Sequence, residues 1–220
     1  MCTARSRPYV ILNAAMTLDG KIATIARDSR ISSRKDLARV HRLRTKVDAI
    51  LVGINTVLVD DPMLTARYSD GKNPARIIVD SRARIKLDSK IMRSCDSVPT
   101  IIATTEKASR SKLKKIKSCG AVPLILGKSK VDLAKLLAIL NDSEIKKLLV
   151  EGGAEINWSM LSQGFVDEVM VTIAPKIVGG RNAVTLVEGK GFPKISKGIK
   201  LKLTKATKSG SEVVLFYKVV

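Results

Sequence analysis

Aromatic residues and histidine are scarce in this sequence. One Trp, three Tyr and three Phe among 220 residues mean that any core consists mainly of Val, Ile, Leu and Ala. Apolar residues still make up 45% of the chain, which is enough for a core and too many for a disordered protein. A catalytic triad or metal site that uses histidine has to be built around the single His41, and we expect neither.

Cysteines are few and widely spaced. Cys2, Cys95 and Cys119 are odd in number and include no Cys-x-x-Cys pair. This pattern excludes a disulfide framework and a zinc site, and it favours reduced thiols in a cytosolic protein. We therefore expect no metal ion.

Long hydrophobic runs are also missing. Stretches such as residues 136–140 fall far short of the ~20 apolar residues that span a bilayer. The apolar run 9–12 near the N-terminus meets Asn13 at once, so it is too short and too polar for a secretory signal. These absences predict a soluble, cytoplasmic protein that has no membrane partner.

Acidic residues are half as numerous as basic ones. Forty Lys and Arg against 20 Asp and Glu give a net charge of +20, which suits phosphate-bearing partners such as a nucleotide cofactor or a nucleic acid. The positive charge is spread along the chain, however, and aromatic residues for base stacking are scarce. A nucleic-acid-binding protein is therefore the less favoured alternative.

Short β-branched runs alternate with helical stretches, and no repeat or linker divides the chain, which predicts a single domain over residues 1–220. Strands are predicted at residues 9–14, 49–52, 76–79, 100–103, 122–126, 147–150, 166–174, 201–208 and 212–219. Helices are predicted after a cap at Ser33 and at residues 109–118, 131–141 and 154–162. This order predicts an α/β fold of three layers, with a mostly parallel sheet and a C-terminal antiparallel hairpin that turns at residues 209–211.

Ligands bind beyond the carboxyl ends of the strands in sheets of this kind, so the residues that follow each strand are the candidate site. Glu151-Gly152-Gly153 follows one strand and precedes a helix. Glycines let the backbone approach a ligand closely, and the N–H groups that begin a helix attract anions. The alternative is an ordinary strand-to-helix turn.

Two further strand ends carry polar side chains. Thr56 and Asp60 are four residues apart on a short predicted helix, so they share one face and can bind the same ligand. Their structural alternative is a helix cap at Thr56 and a turn at Asp60. Ser81, Arg82 and Arg84 follow the strand 76–79 and suit a terminal phosphate, although a basic surface loop has the same composition.

Taken in order, these segments resemble the reductase family of riboflavin biosynthesis. The matching segments are residues 16–21, 28–32, 41–44, 56–62 with 64–65, 79–81, 151–153 and 174–180. Any one segment is weak evidence for the family, but all of them in this order are specific to it, and the resemblance extends over residues 7–219. The resemblance implies a dihydrofolate-reductase-like fold. The chain has neither the His-x-Glu nor the Pro-Cys-x-x-Cys of the zinc deaminase that precedes this domain in many bacteria, so it is similar to the stand-alone archaeal and fungal reductases.

The family resemblance implies an NADPH-dependent oxidoreductase that acts on an aldose-type group. Its substrate is the sugar phosphate 2,5-diamino-6-ribosylamino-4(3H)-pyrimidinone 5′-phosphate, whose ribose side chain becomes a ribityl chain. The alternative substrate is the deaminated pyrimidine, supplied by a separate deaminase. The resemblance also implies a homodimer, and NADH is a possible second cofactor.

Site residues carried over from the family fall into two groups. The cofactor group is Ala15, Thr56, Asp60, Ser81, Arg82, Arg84, Gly152, Gly153 and Ala154. The substrate group is Asn13, Ser29, Arg44, Leu64, Arg67 and Glu151. Ile31 stands near the position of an aromatic residue in bacterial members. The proton donor stays open among Asp60, Glu151 and Lys21.

Overall fold

A computed structural model describes residues 6–67 and 71–220, so Cys2 lies outside the described residues. The chain divides into two compact units. As far as their residues are described, the first unit is formed by Met1–Tyr9 and His41–Leu149, and the second by Val10–Val40 and Val150–Val220.

The elements follow the order predicted from the sequence. The strands are β1 (Tyr9–Thr17), β2 (Ala49–Gly53), β3 (Ala75–Val79), β4 (Thr100–Thr104), β5 (Val122–Ile125), β6 (Lys147–Val150), β7 (Glu168–Ala174), β8 (Leu201–Ser209) and β9 (Glu212–Val219). The helices are α1 (Arg34–Arg44), α2 (Ile54–Asp60), α3 (Lys90–Arg93), α4 (Arg110–Ser118), α5 (Leu133–Asp142) and α6 (Ala154–Ser162), with a 3₁₀ turn at Ile195–Lys197. Each predicted strand is present, whereas α3 and the 3₁₀ turn were not predicted.

The first unit is built on strands in the order β5-β4-β3-β2-β6, of which β2, β3, β4 and β5 are parallel. All of β2 and nearly all of β3 are buried, which explains why these strands read as continuous aliphatic runs rather than as alternating ones. Helix α5 begins at its cap Asp132, whose carboxylate accepts from the backbone N–H of Lys135. Its four buried leucines recur at helical spacing and supply one side of the core.

A fully buried arginine braces the first unit. The guanidinium of Arg76 donates to the hydroxyl of Thr100 at 2.9 Å and to the backbone carbonyls of Ile91 and Val98 at 3.0 and 3.1 Å. Burial lowers the pKa of Arg76 and raises the pKa of the neighbouring Cys95 thiol. Cys95 is therefore a packed, protonated thiol, and neither Cys95 nor Cys119 forms a disulfide.

The second unit has strands in the order β1-β7-β9-β8. β1 and β7 are parallel, whereas β9 is antiparallel to both β7 and β8. Ser209 pairs with Glu212, so the hairpin turns at Gly210-Ser211. The only tryptophan, Trp158 on α6, contacts the ring of Phe192 at a centroid distance of 5.0 Å. A Cβ at Gly189 would collide with the same indole ring, so glycine is required there.

The start of α1 confirms the predicted cap. The Ser33 hydroxyl accepts from the backbone N–H of Asp36 and donates to the carboxylate of the buried Glu212 on β9 at 2.6 Å. The helix does not simply bury an aliphatic face, because Leu37 is 46% exposed while Asp36 is 1% exposed. The buried carboxylate is used in a polar network described below.

The predicted fold class is confirmed by this architecture, since the strands are mostly parallel and the C-terminal hairpin is antiparallel. Across residues 6–67 and 71–220, none of the helices combines the length and the apolarity that crossing a bilayer requires. The number of domains stays a prediction.

Candidate active site

The predicted site residues are divided between the two units. The first unit carries Arg44, Thr56, Asp60, Leu64, Arg67, Ser81, Arg82 and Arg84, and the second carries Asn13, Ala15, Lys21, Ser29, Glu151, Gly152, Gly153 and Ala154. Within the described part of the chain, no group of three or more His, Cys, Asp or Glu side chains is placed to hold a metal ion.

Thr56 and Asp60 lie on helix α2, as predicted. The alternative prediction, in which Thr56 caps the helix and Asp60 forms the turn, is wrong, because the N-cap of α2 is Gly53 and no side chain caps this helix. The turn after α2 is made by Asp61, which has the left-handed backbone (φ +39°) and accepts from the backbone N–H of Lys90 at 2.9 Å. Neither capping nor turn formation therefore explains why a threonine and an aspartate share this helix face.

The loop after β3 is folded around the buried Asp80. One carboxylate oxygen of Asp80 accepts from the backbone N–H of Ile85 at 2.8 Å, and Ala83 has a left-handed backbone (φ +51°). The guanidinium of Arg84 donates to the side chain of Asn55 at 3.0 Å and lies 3.9 Å from Asp80. Arg82 is exposed. Of the two arginines predicted to bind a phosphate, Arg84 is thus already hydrogen-bonded to Asn55 on α2, whereas Arg82 is exposed.

The segment after α2 is held by side chains from other elements of the first unit. Leu64 is buried and has a left-handed backbone (φ +52°), which costs free energy in a residue with a Cβ. Arg44 donates from Nη1 to the carbonyl of Thr65 at 2.9 Å. The backbone N–H of Arg67 donates to Nδ1 of His41 at 3.0 Å. Arg44 therefore supports this segment, while the side chain of Arg67 is exposed.

Asn13 on β1 is oriented by a buried polar network of the second unit. Its amide oxygen accepts from Nη2 of Arg39 at 2.8 Å, and Nε of Arg39 donates to the carboxylate of Asp36 at 2.8 Å. Asp36 also accepts from the hydroxyls of Ser32 and Thr172 at 2.7 Å. Because the amide oxygen of Asn13 is used by Arg39, the NH₂ group is the end left for a ligand.

Asp19 and Gly20 form a turn after β1, with Gly20 at φ +78°. Asp19 accepts from the hydroxyl of Thr17 at 2.6 Å and from the backbone N–H of Gly179 at 2.7 Å, and these bonds lower its pKa to about 2. Asp19 is thus a structural carboxylate. Nζ of the half-buried Lys21 donates to the carbonyl of Ala183 at 3.4 Å.

Ser29, a predicted substrate residue, and Ile31, near the position of an aromatic residue in bacterial members, lie further along the chain. Ser29 is exposed beside the ion pair of Asp28 and Arg30, whose contact lowers the pKa of Asp28. Ile31 is 8% exposed, so it packs as a core residue and does not present a face for stacking. Of these two residues, Ser29 is therefore the one that is accessible to a ligand.

The turn between β6 and α6 has the features that phosphate binding needs. Gly152 and Gly153 have φ values of +113° and +72°, which residues with a Cβ rarely adopt. Gly153 is the N-cap of α6 and no side chain caps this nine-residue helix, so its first N–H groups remain available to an anion. Half-buried Glu151 and buried Ala154 flank the glycines. The residues present fit the diphosphate of a dinucleotide.

Several supporting residues were missed by the sequence analysis. Arg39, Asp36 and Asn73 hold predicted site residues in place, and His41 was named only as the single histidine, with no triad or metal site expected around it. The i, i+3 spacing of Asp36 and Arg39 is a signal that can indicate an ion pair on one helix face. No sequence pattern indicates that this pair is buried or that it reaches Asn13.

Comparison with known proteins gives relatives that align with nearly the whole chain. The family model described as the RibD C-terminal domain matches residues 8–215. A protein of Methanothermobacter thermautotrophicus named 2,5-diamino-6-ribosylamino-4(3H)-pyrimidinone 5′-phosphate reductase is 47% identical over 97% of this chain and 99% of its own length. A protein of Aquifex aeolicus with the same name is 42% identical over 97% of each chain.

A solved structure supports the same comparison at the level of the fold. RibD of Acinetobacter baumannii superposes with a TM-score of 0.84 at 25% sequence identity, covering 98% of this chain. This chain spans 58% of that one.

Proposed function

This chain belongs to the RibD C-terminal domain family, and from that membership we propose that it reduces the ribose side chain of 2,5-diamino-6-ribosylamino-4(3H)-pyrimidinone 5′-phosphate with NADPH. The family resemblance found in the sequence is thereby confirmed. The observation that carries the substrate assignment is the 47% identity to a reductase of that name over nearly the full length of both chains.

Each group of proposed cofactor residues binds a different part of NADPH. The exposed Arg82, with Ser81 and Arg84, binds the 2′-phosphate that distinguishes NADPH from NADH. The glycine turn and the uncapped N-terminus of α6 bind the diphosphate. Thr56 and Asp60 contact the same cofactor from α2, and Ala15 on β1 lies beside the nicotinamide ring.

The proposed substrate residues provide orientation and charge. Arg67 and Arg44 bind the 5′-phosphate, with Arg67 as the principal contact because Arg44 also holds the carbonyl of Thr65. The NH₂ group of Asn13 donates to an oxygen of the substrate, because Arg39 occupies its amide oxygen. Ser29, Leu64 and Glu151 are the other residues proposed to contact the substrate.

The chemistry asks little of the side chains. Opening of the ribosylamine ring gives an imine at C1′, and NADPH, when bound, would supply the hydride that reduces this carbon while the nitrogen takes up the electron pair. The chain has to orient the opened sugar, exclude water and deliver one proton to the heteroatom that gains the electron pair. Asp60, Glu151 and Lys21 are the candidates for that proton. Loss of the donor lowers kcat and leaves the KM values nearly unchanged.

We also propose that the protein is a cytoplasmic homodimer that pairs through its C-terminal hairpin. Leu201, Leu203 and Val213 share one face of β8 and β9 by register, and they are 44, 52 and 38% exposed. The edge of β8 carries a register shift between Leu203 and Lys205, a feature that opposes edge-to-edge strand pairing. The face of the hairpin, rather than its edge, is therefore the proposed interface.

The test of the proposed function is turnover of purified protein with NADPH while the absorbance of the reduced nicotinamide is followed. The diaminopyrimidine sugar phosphate is expected to be the better substrate by kcat/KM. Preference for the deaminated pyrimidine would contradict the substrate assignment, and no oxidation with either compound would contradict the reductase assignment.

A further inference from the structure

We infer that His41, the only histidine, is a positioning residue for the substrate phosphate: it holds the backbone of Arg67 so that the guanidinium of Arg67 is presented to that phosphate. The inference rests on the proposed function, in which Arg67 binds the sugar phosphate. All of the residues that carry it belong to the first unit.

The contact between the two residues defines the state of the imidazole. Nδ1 of His41 lies 3.0 Å from the backbone nitrogen of Arg67 and accepts its hydrogen. A ring nitrogen that accepts a hydrogen bond carries no proton, so the neutral ring has its proton on Nε2. A doubly protonated ring donates from both nitrogens and cannot form this bond. The geometry therefore requires one tautomer of the neutral imidazole.

His41 acts on a segment that is fastened at three successive residues. The carbonyl of Thr65 accepts from Arg44, and the backbone N–H of Ala66 donates to the side chain of Asn73, both at 2.9 Å. The third bond runs from the backbone N–H of Arg67, the residue proposed to bind the phosphate, to His41. These three bonds restrict the backbone of residues 65–67, directly after the left-handed residue Leu64, and so fix where the side chain of Arg67 leaves the main chain.

His41 and Arg67 differ in burial, and this difference separates their roles. His41 lies in the last turn of α1 and is 4% exposed, whereas the side chain of Arg67 is exposed. The imidazole therefore influences binding through the peptide group of Arg67, and the guanidinium makes the contact with the phosphate. His41 is accordingly not a catalytic residue.

Two amide substitutions test the assignment because they place an acceptor at different ring positions. The amide oxygen in His41→Asn reaches the position of Nδ1, whereas in His41→Gln it reaches toward Nε2. We expect His41→Gln to raise the KM for the sugar phosphate about fivefold, the size of one lost hydrogen bond. His41→Asn is expected to stay near the wild type, and neither change should alter the KM for NADPH. Arg42→Gln, at an exposed position on the same helix turn, serves as the control.

A double substitution separates positioning from general stability. In an Arg67→Gln background, His41→Gln should have little further effect on the KM for the sugar phosphate, because its route of action has already been removed. A merely structural histidine would instead add its full effect in that background. Thermal unfolding of each variant shows how far stability changes accompany these effects.

Nuclear magnetic resonance gives a readout that is independent of turnover. Since the chain has one histidine, long-range ¹H–¹⁵N spectra contain a single imidazole, and we expect its Nδ1 to be unprotonated. A proton on Nδ1, equal KM values for the Asn and Gln variants, or additive effects with Arg67→Gln would each overturn the inference while the wild type still turns over. A wild type that oxidises no NADPH would contradict the proposed function and this inference with it.

Discussion

The Nη2 atom of Arg39 lies 2.8 Å from the amide oxygen of Asn13, and this bond determines which end of the amide can face a substrate. An amide whose oxygen is held by a guanidinium can offer only its NH₂ group as a donor. The first unit contains a comparable arrangement, in which His41 holds the backbone of Arg67. In both cases a substrate-binding residue that was predicted from the sequence is held by a second residue whose role was not predicted.

Asn13→Asp tests the direction of that amide. A carboxylate keeps the acceptor for Arg39 but removes the NH₂ donors, so the fold should be retained while the KM for the sugar phosphate rises about tenfold. The KM for NADPH should not change. Equal increases in both KM values, or no increase in either, would contradict a donor role for Asn13.

Arg39→Leu tests the buried network. The substitution leaves the carboxylate of Asp36 buried without its cation, so the free energy of unfolding should fall by about 3 kcal/mol. Urea denaturation measures this change. The control is Arg30→Leu, which breaks an ion pair at the surface and should leave the urea midpoint unchanged. Similar midpoints for the two variants would show that the network contributes nothing to stability.

The loop after β3 should determine the preference for NADPH. Removing a charge-assisted contact to a phosphate costs about 1.5–3 kcal/mol, and the lower figure applies to a contact open to solvent, so Arg82→Ala should weaken NADPH binding about tenfold. Arg84→Ala should do the same or less, since its guanidinium already contacts Asn55. Binding of NADH should be nearly unaffected in both variants, as measured by fluorescence titration. A double variant with the wild-type ratio of the two affinities would contradict this assignment.

Gly153→Ala should damage cofactor binding as well as stability. Its backbone lies at φ +72° and ψ 126°, outside the left-handed helical region that other residues occasionally adopt, so a Cβ is strained there, and the same residue begins α6. Gly164→Ala is the matched control, since Gly164 follows the other end of α6 at φ +71° with open space around it. Both variants should unfold at lower denaturant concentration. Only Gly153→Ala should bind NADPH more weakly, and equal binding by both would contradict a role for this turn.

Leu203→Lys tests the proposed dimer. A charge at this half-exposed position in the apolar face of the hairpin should prevent association. Sedimentation at micromolar concentration should show about twice the chain mass of 23.9 kDa for the wild type and one chain mass for the variant. Lys202→Leu, on the opposite face of β8, should remain a dimer. A monomeric wild type would contradict the proposal.

Local patterns were sufficient to predict most of the fold. Continuous aliphatic runs identified β2 and β3 because both faces of these strands are buried, and the Ser33 cap was found because its Asp36 lies three residues further on. Helix α3 was missed because four residues are too few to show a helical period. The 3₁₀ turn at Ile195–Lys197 is shorter still.

The supporting contacts of the candidate site could not be predicted in the same way. Arg39 and Asn13 are 26 residues apart, as are His41 and Arg67. A hydrogen bond over such a separation leaves no periodic signal in one sequence, because it depends on how the elements pack. The burial of Asp36 likewise follows from its position against Thr172 on β7, which no composition rule identifies.

The indole of Trp158, which contacts Phe192 and Gly189, gives the second unit the only tryptophan fluorophore of the sequence. Its emission during denaturation reports the loss of packing around α6, whereas far-ultraviolet circular dichroism reports helices and strands throughout the chain. Two-state unfolding requires both signals to change with one midpoint. Coincidence of the two transitions is therefore a direct measure of whether the two units lose their structure as one cooperative domain.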